Sequence, residues 1–249
     1  MSISVVFFGK NLITQGYCFW ESLHSCLPFA DELIISEGYS DDNTYEYLNK
    51  FIFEYKNQLP ITMFQDKWEV NSYHGEVIAK VSNRLIKKAT KDWVYYLQAD
   101  EIIHEDNIEY IKTISELSNY NSVSFPFYHF TRAWHPTPGY TDAIRMIRNH
   151  RDINLKGDAW TFEGEIDPVC PSSKSPKPIY HFGYVFPKQS DIKDIQHFGL
   201  YTNVIQYKER MQKAAVTLKE NKKPFPRTDF DDFPELSRKF IGKGEYPLP

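Results

Sequence analysis

No run of apolar residues in this chain approaches the length needed to cross a bilayer, so a membrane span is not expected. Nor does the N-terminus place a basic segment ahead of an apolar one. It begins at once with a strand-like run, and no signal peptide is expected. Cysteine is scarce: Cys18, Cys26 and Cys170 are odd in number and lack C-x-x-C spacing, which indicates neither a disulfide framework nor a zinc site. A reduced, cytoplasmic setting is the simplest reading. Charge of one sign is also lacking. The formal net charge is -4 and the pI about 6.1, with lysines dispersed apart from pairs such as Lys87-Lys88. Nothing there suggests nucleic acid as a partner. Internal repeats are absent, and oligomeric state is not readable.

What is present is a regular alternation. Apolar runs at 3–8, 32–36, 61–64 and 93–97 read as strands, and helical spacing of apolar residues fills 15–27, 44–55 and 75–89 between them. The order β-α-β-α-β-α-β implies right-handed crossovers and a Rossmann-like, mainly parallel α/β sheet flanked by helices. Residues 108–117 read as a further helix, and 122–130, 143–148 and 153–156 as strands of a mixed, more antiparallel second half. The acidic stretch 158–167 reads as a loop, 171–178 as a mobile Pro/Ser/Lys-rich segment, and 179–184 as a short strand or turn. Helical spacing returns over 190–221, and the prolines beyond it indicate an extended tail. The organisation expected is a single domain over 1–222, divided into halves at 1–106 and 107–222, with a tail at 223–249.

The stretch Asp92 to Asp106, DWVYYLQADEIIHED, organises the rest. Trp93 to Leu97 lacks polar alternation, as suits a central strand covered on both faces. The run stops at Gln98-Ala99-Asp100-Glu101, where polar groups would emerge at the carboxyl edge of the sheet, the edge at which open α/β sheets bind ligands. Adjacent carboxylates repel unless something positive lies between them, and a hard divalent cation would serve. A solvated loop leading into a helix explains the same residues, with Glu105 and Asp106 in the first helical turn. Upstream, Glu37-Gly38-Tyr39-Ser40-Asp41-Asp42-Asn43-Thr44 is a second polar strand end that opens a helix.

Together the two motifs resemble those of the family 2 glycosyltransferases of GT-A fold. The likeness is closer to the branch that extends lipopolysaccharide cores and to similar bacterial and phage proteins reading LQADE. It covers residues 2–106 well and the remainder loosely. Two positions depart from the pattern: Glu37 stands where the family has an Asp, and Gln98 replaces the first Asp of the metal motif. The resemblance implies transfer of a sugar from a nucleotide-sugar donor, UDP-linked by preference or GDP-linked, to a glycan or other hydroxyl acceptor. It also implies inversion, cell-surface polysaccharide biosynthesis as the setting, and a Mn2+ or Mg2+ ion at the diphosphate.

On that resemblance Asp100 is the candidate metal ligand and His181 a second, a pairing of carboxylate with imidazole that favours Mn2+. His104, His129, His135 and His197 read as structural or surface groups. Phe8, Gly9 and Asn11 would wall the nucleoside, Glu37 would accept bonds from base or ribose, Gln98 would bond a ribose hydroxyl, Asp66 would reach the base edge, and Asn83 falls where the family often has an Arg-Asn pair. Lys80 and Arg84 could approach phosphates. The base that deprotonates the acceptor would come from the loop 158–167, with Glu163 preferred for its flanking Trp160 and Phe162, and Glu165 next. Two rivals stand beside this. A nucleotidyltransferase would carry a Gly-rich basic loop after the first strand, which GKNLITQG matches poorly. A catalytically silent relative that binds nucleotide-sugar or glycan is kept open by Gln98.

Overall fold

The computed structural model describes residues 1–68, 76–116, 119–131, 142–186, 230–243 and 246–247. The expected helix at 190–221, His135 and His197 lie outside them. Four strands come first in the chain: β1 (Ile3–Gly9), β2 (Glu32–Glu37), β3 (Ile61–Gln65) and β4 (Trp93–Leu97). They pair in parallel in the order β3-β2-β1-β4. Between them run α1 (Phe19–Cys26), α2 (Thr44–Tyr55) and α3 (Glu76–Ile86).

Alternation along β1 explains why both faces must be covered. Val5 and Phe7 join Phe19, Leu23, Leu48 and Phe51 of α1 and α2 in one core. Val6 and Phe8 face the other way, into a core with Val77, Val81 and Leu85 of α3. A period of two on a strand puts successive side chains on opposite faces, so an unbroken apolar run is stable only between two layers. Burying each large side chain stabilises the layers by about 1.5–3 kcal/mol.

The second half continues the same sheet. β5 (Glu101–Ile103) and α4 (Ile108–Glu116) precede β6 (Ser122–Thr131), β7 (Asp142–Arg148), β8 (Ile153–Lys156), β9 (Thr161–Gly164), β10 (Val169–Cys170) and β11 (Ile179–Tyr184). β7 lies antiparallel beside β4, and the order runs on through β6, β11 and β5, with β10 also on β6. Among the described residues the result is a nine-stranded mixed sheet, parallel in its first half and mixed in its second.

Four expectations are corrected. The stretch 158–167 is not all loop, because β9 pairs antiparallel with β8 as a hairpin. Phe162 points into the α3-side core while its neighbours stay in solvent, a short period-two pattern. Gly164 ends β9 at the open end of the hairpin with φ 100°, where an added Cβ would lie 1.8 Å from the Asp152 carbonyl oxygen. Glu101 belongs to a strand, β5, rather than to an exit loop. Residues 171–178 are tied down: buried Asn107 donates to the Lys177 carbonyl at 2.9 Å and accepts from its N–H at 3.0 Å. The last segment is not extended over 230–240. It makes two 3-10 turns, and Phe233, Phe240 and Tyr246 bury against Ile102, Phe130, Tyr180 and Phe182. There Tyr246 donates to the buried carboxylate of Glu21, which Lys239 also approaches. Apolar burial outweighs the local preference of proline for extended chain.

Candidate functional site

The carboxyl ends of β1 to β4 form one edge. Gly9 lies beside Glu37 and Glu37 beside Gln65 in the strand register, and Phe7 beside Leu97. Side chains emerging past these positions therefore share one rim. Phe8 stacks on Tyr96 with centroids 5.9 Å apart, and Trp68 tilts against Phe8 at 6.1 Å. Gly38 is needed here, since a Cβ would come within 2.8 Å of Trp68 Nε1. That indole nitrogen is buried and has no hydrogen-bond partner among the described residues.

Glu37 is fully buried at this rim. Its carboxylate accepts from the backbone N–H of Ser40 at 2.7 Å and of Tyr39 at 3.1 Å, and from Gln65 Nε2 at 2.9 Å. Ser40 Oγ in turn accepts from Asn11 N–H at 2.9 Å, and Asn11 Oδ1 accepts from Asp41 N–H at 2.8 Å. Asp42 accepts from Thr44 N–H at 3.0 Å at the start of α2. Glu37 and Asn11 thus knit the two strand-end loops together. Residues Asn11 and Tyr39 hold φ values of 53° and 52°, a left-handed conformation that this network maintains.

Asp66 is clamped by Arg84, with Nη2 at 2.6 Å and Nε at 2.7 Å from Oδ2. Arg84 is therefore engaged with a carboxylate rather than free for phosphate, and Lys80 pairs with Glu76 at 3.8 Å. Asn83 bridges α3 to β8: Nδ2 donates to the Leu155 carbonyl and Oδ1 accepts from Leu155 N–H, both at 2.8 Å. Both ends of its amide are engaged, so the structure gives Asn83 a scaffolding position.

Asp100 and His181 are brought together. His181 Nε2 lies 3.3 Å from Asp100 Oδ2, and both side chains are nearly buried. The sheet causes this meeting. β11 pairs antiparallel with β5, placing His181 opposite Glu101, and parallel with β6, placing His181 opposite His129. Nδ1 of His181 is 2.6 Å from Nδ1 of His129, with the rings stacked at 4.5 Å. The Phe182 N–H donates to the Asp100 carbonyl at 2.8 Å, holding the crossing in place. Burial, and then the negative charge of Asp100, push the Tyr17 hydroxyl well above its usual range, so it stays protonated beside the carboxylate. Gln98, at the turn before Asp100, donates from Nε2 to the Tyr96 hydroxyl at 3.1 Å.

A carboxylate oxygen and an imidazole nitrogen at this separation suit a divalent cation. Among the described residues no group of three or more His, Cys, Asp or Glu side chains forms a metal cage. Two protein ligands fit an ion that shares its remaining positions with diphosphate oxygens and water.

Glu163 and Glu165 are placed elsewhere. Glu163 leaves the face of β9 opposite to Phe162, is 57% exposed and pairs with Lys156 at 3.5 Å. The apolar surroundings expected from Trp160 and Phe162 are not there. Phe162 packs on Tyr96, and Trp160 on Phe127. Glu165 pairs with Arg151 at 3.4 Å and is equally exposed. Both are thus engaged with cations of the hairpin region, while Asp100 and His181 pair with each other.

Sequence reasoning named Glu101 beside Asp100 but missed its partner Arg145; both are fully buried and joined by a forked ion pair. Burial alone would lower the Arg145 pKa, but the charge and hydrogen bonds of Glu101 outweigh it and leave the guanidinium above its ordinary value. A lone arginine inside the apolar run Ala143 to Ile147 was the available signal, since a buried charge demands a partner.

No family model matches this chain, and no curated protein sequence matches it. Among solved structures it is similar to residues 1–349 of S. aureus TarS, with a TM-score of 0.50, 15% identity and coverage of 98% of this chain and 73% of that one. The complex of that protein with UDP-GlcNAc gives a TM-score of 0.53 at 16% identity, covering 96% and 73%. The apo-form glycosyltransferase GlyE of Streptococcus pneumoniae TIGR4 reaches only 0.35 over 60% of this chain, too little to argue from. At such identities the likeness is one of fold. The chain has the α/β fold of GT-A type, with a parallel first half and a mixed second half.

Proposed function

We propose that this chain is a glycosyltransferase that moves a sugar from a nucleotide-sugar donor to a hydroxyl of a glycan acceptor. The meeting of Asp100 and His181 at the carboxyl edge of the sheet, 3.3 Å apart, carries the reading. It brings two metal-type donors to the place where such a sheet binds a nucleotide. The fold likeness to a protein crystallised with UDP-GlcNAc supports a UDP-sugar over a GDP-sugar. Phe8, buried against Tyr96 and Trp68, would back the nucleoside as part of the wall beneath this rim. The rim at Gly9, Gln98 and Asp66 offers backbone and polar groups to base and ribose. Glu37 and Asn11 keep the loops of that rim in shape.

Asp100 and His181 would hold Mn2+ or Mg2+, which when bound neutralises the charge that builds on the departing diphosphate. Gln98 brings no charge to that site, which leaves Asp100 as the anionic ligand. For an inverting transfer one carboxylate must take the acceptor's proton, and Glu163 or Glu165 on the β8–β9 hairpin is the proposed source. Assignment to family 2, hexosyl transfer, cell-surface polysaccharide synthesis and a cytoplasmic setting belong to the same proposal. No helix among the described residues is long and apolar enough to cross a membrane.

A donor screen tests this. Nucleotide-sugars are added with and without Mn2+, and thermal stability and release of nucleoside diphosphate are followed. A UDP-sugar should raise the melting temperature in a Mn2+-dependent way and be slowly hydrolysed. Stabilisation without hydrolysis or transfer would mark a silent binder, and no stabilisation by any donor would sink the reading.

A further inference from the structure

We infer that Arg145 is a positioning residue, which through its buried ion pair with Glu101 holds Asp100 and His181 in register with each other. The inference rests on the reading of Asp100 and His181 as the donor and metal site.

The geometry runs through one carboxylate. Arg145 Nη2 donates to Glu101 Oε1 at 2.7 Å, and Nε lies 3.0 and 3.1 Å from the two carboxylate oxygens. Its Nη1 donates to the Ile144 carbonyl at 3.0 Å, fixing the guanidinium to β7. The charged plane sits among aromatic rings, 5.2 Å from the Phe127 and Trp160 centroids and 5.5 Å from that of Tyr96. Glu101 is joined by one peptide bond to Asp100, and across the β5–β11 ladder it is the register partner of His181. Its N–H closes the turn onto the Gln98 carbonyl at 3.1 Å. Phe127, beneath the guanidinium, also packs on the His181 ring at 5.4 Å. One anchored side chain therefore constrains both halves of the pair.

Stability alone does not account for this arrangement. Two charges removed from water are costly, and well-packed apolar residues of similar size often hold a fold as well or better. What an apolar pair lacks is direction. A guanidinium fork accepts a carboxylate in only a few orientations, so it sets the angle at which β5 leaves the Asp100 turn. A register slip there would carry His181 to the other face of its strand.

The experiment replaces the pair by the apolar double variant Glu101→Met/Arg145→Met, alongside Arg145→Lys. Crystal structures without nucleotide, urea unfolding and UDP titrations with Mn2+ are the readouts. The double variant should unfold at a urea concentration equal to or above that of the wild type. Its Asp100 Oδ2 to His181 Nε2 separation should open beyond hydrogen-bond reach, and UDP affinity in Mn2+ should fall by about 10–100-fold. Arg145→Lys, which keeps the charge without the fork, should fall between. A stable double variant with the Asp100–His181 contact intact overturns the inference, and so does a double variant that fails to fold while Arg145→Lys keeps that contact. Because the separation is read without nucleotide, a wild type that binds no UDP would defeat the donor-site reading and leave the positioning role still decided by the structures.

Discussion

His181 Nε2 lies 3.3 Å from Asp100 Oδ2, while Nδ1 of the same ring is 2.6 Å from Nδ1 of His129. One Nδ1 donates to the other at that distance, and the contact fixes the orientation of the His181 ring. A ring held in this way presents a defined atom to Asp100, or to a cation between them.

If that pair holds the ion, Asp100→Asn should abolish Mn2+-dependent stabilisation by UDP, and His181→Ala should weaken it less. At a UDP concentration about 100 times the dissociation constant the stabilisation at stake is about 2.7 kcal/mol. Thermal shift with UDP, in Mn2+ and in excess chelator, reads it directly. Equal stabilisation of the wild type by UDP in chelator would remove the metal role.

Replacing Glu37 should cost folding stability before it costs binding. Glu37→Ala would strand the N–H groups of Tyr39 and Ser40 and the Gln65 amide in a buried place, for a loss of about 3 kcal/mol or more. Glu37→Gln keeps an acceptor and should lose less. Urea midpoints of the two variants decide, and an alanine variant as stable as the wild type would contradict the buried network.

The two hairpin carboxylates make the opposite case. Their ion pairs with Lys156 and Arg151 are exposed, so Glu163→Gln and Glu165→Gln should each change stability by less than about 0.5 kcal/mol. Transfer rate should fall by about 10²–10⁴ in the variant that removes the base. Undiminished transfer in both, or retention of anomeric configuration in the product, would move the base off this hairpin.

His104 supplies a pH dependence. Its Nδ1 accepts from the Asp106 N–H at 3.1 Å, which requires a lone pair, and the ring is nearly buried. Burial lowers its pKa, and the charges of Glu105 and Asp106 only partly oppose this. A lowered folded-state value means that the unfolded chain binds the proton more readily. Stability from this group should therefore be whole above the unfolded value of about 6.5 and be lost as pH falls through it toward the folded value. His104→Asn, which retains an acceptor for the Asp106 N–H, should flatten that decline. Urea midpoints between pH 7.5 and pH 5.5 compare the two. A variant with the same slope as the wild type would place the dependence on another group.

Elements with a complete local signal were legible. The apolar runs of β1 and β4 and the helical spacing in α2 and α3 each report burial through neighbours in the chain, and the structure places them within a few residues of expectation. α1 is shorter than its apolar spacing suggested. The positive φ angles of Asn11 and Gly16 shape a turn before it, and the helix begins only at Phe19. β5 and β9 are too short for a period to show. The terminal turns at 230–240 carry Pro234, whose local preference is overridden by burial of Phe233 and Phe240.

By itself the sequence determined the parallel half of the sheet, its polar rim and the candidacy of Asp100 and His181, because strand ends and ligand-type side chains are local properties. The tertiary structure alone decided which of those groups meet. The antiparallel entry of β7 beside β4 and the insertion of β11 between β6 and β5 join residues far apart in the chain. A shift of one residue in either ladder would turn every side chain to the opposite face. That register sets His181 against Asp100 and His129, sends Arg145 inward to Glu101, and leaves Glu163 in solvent.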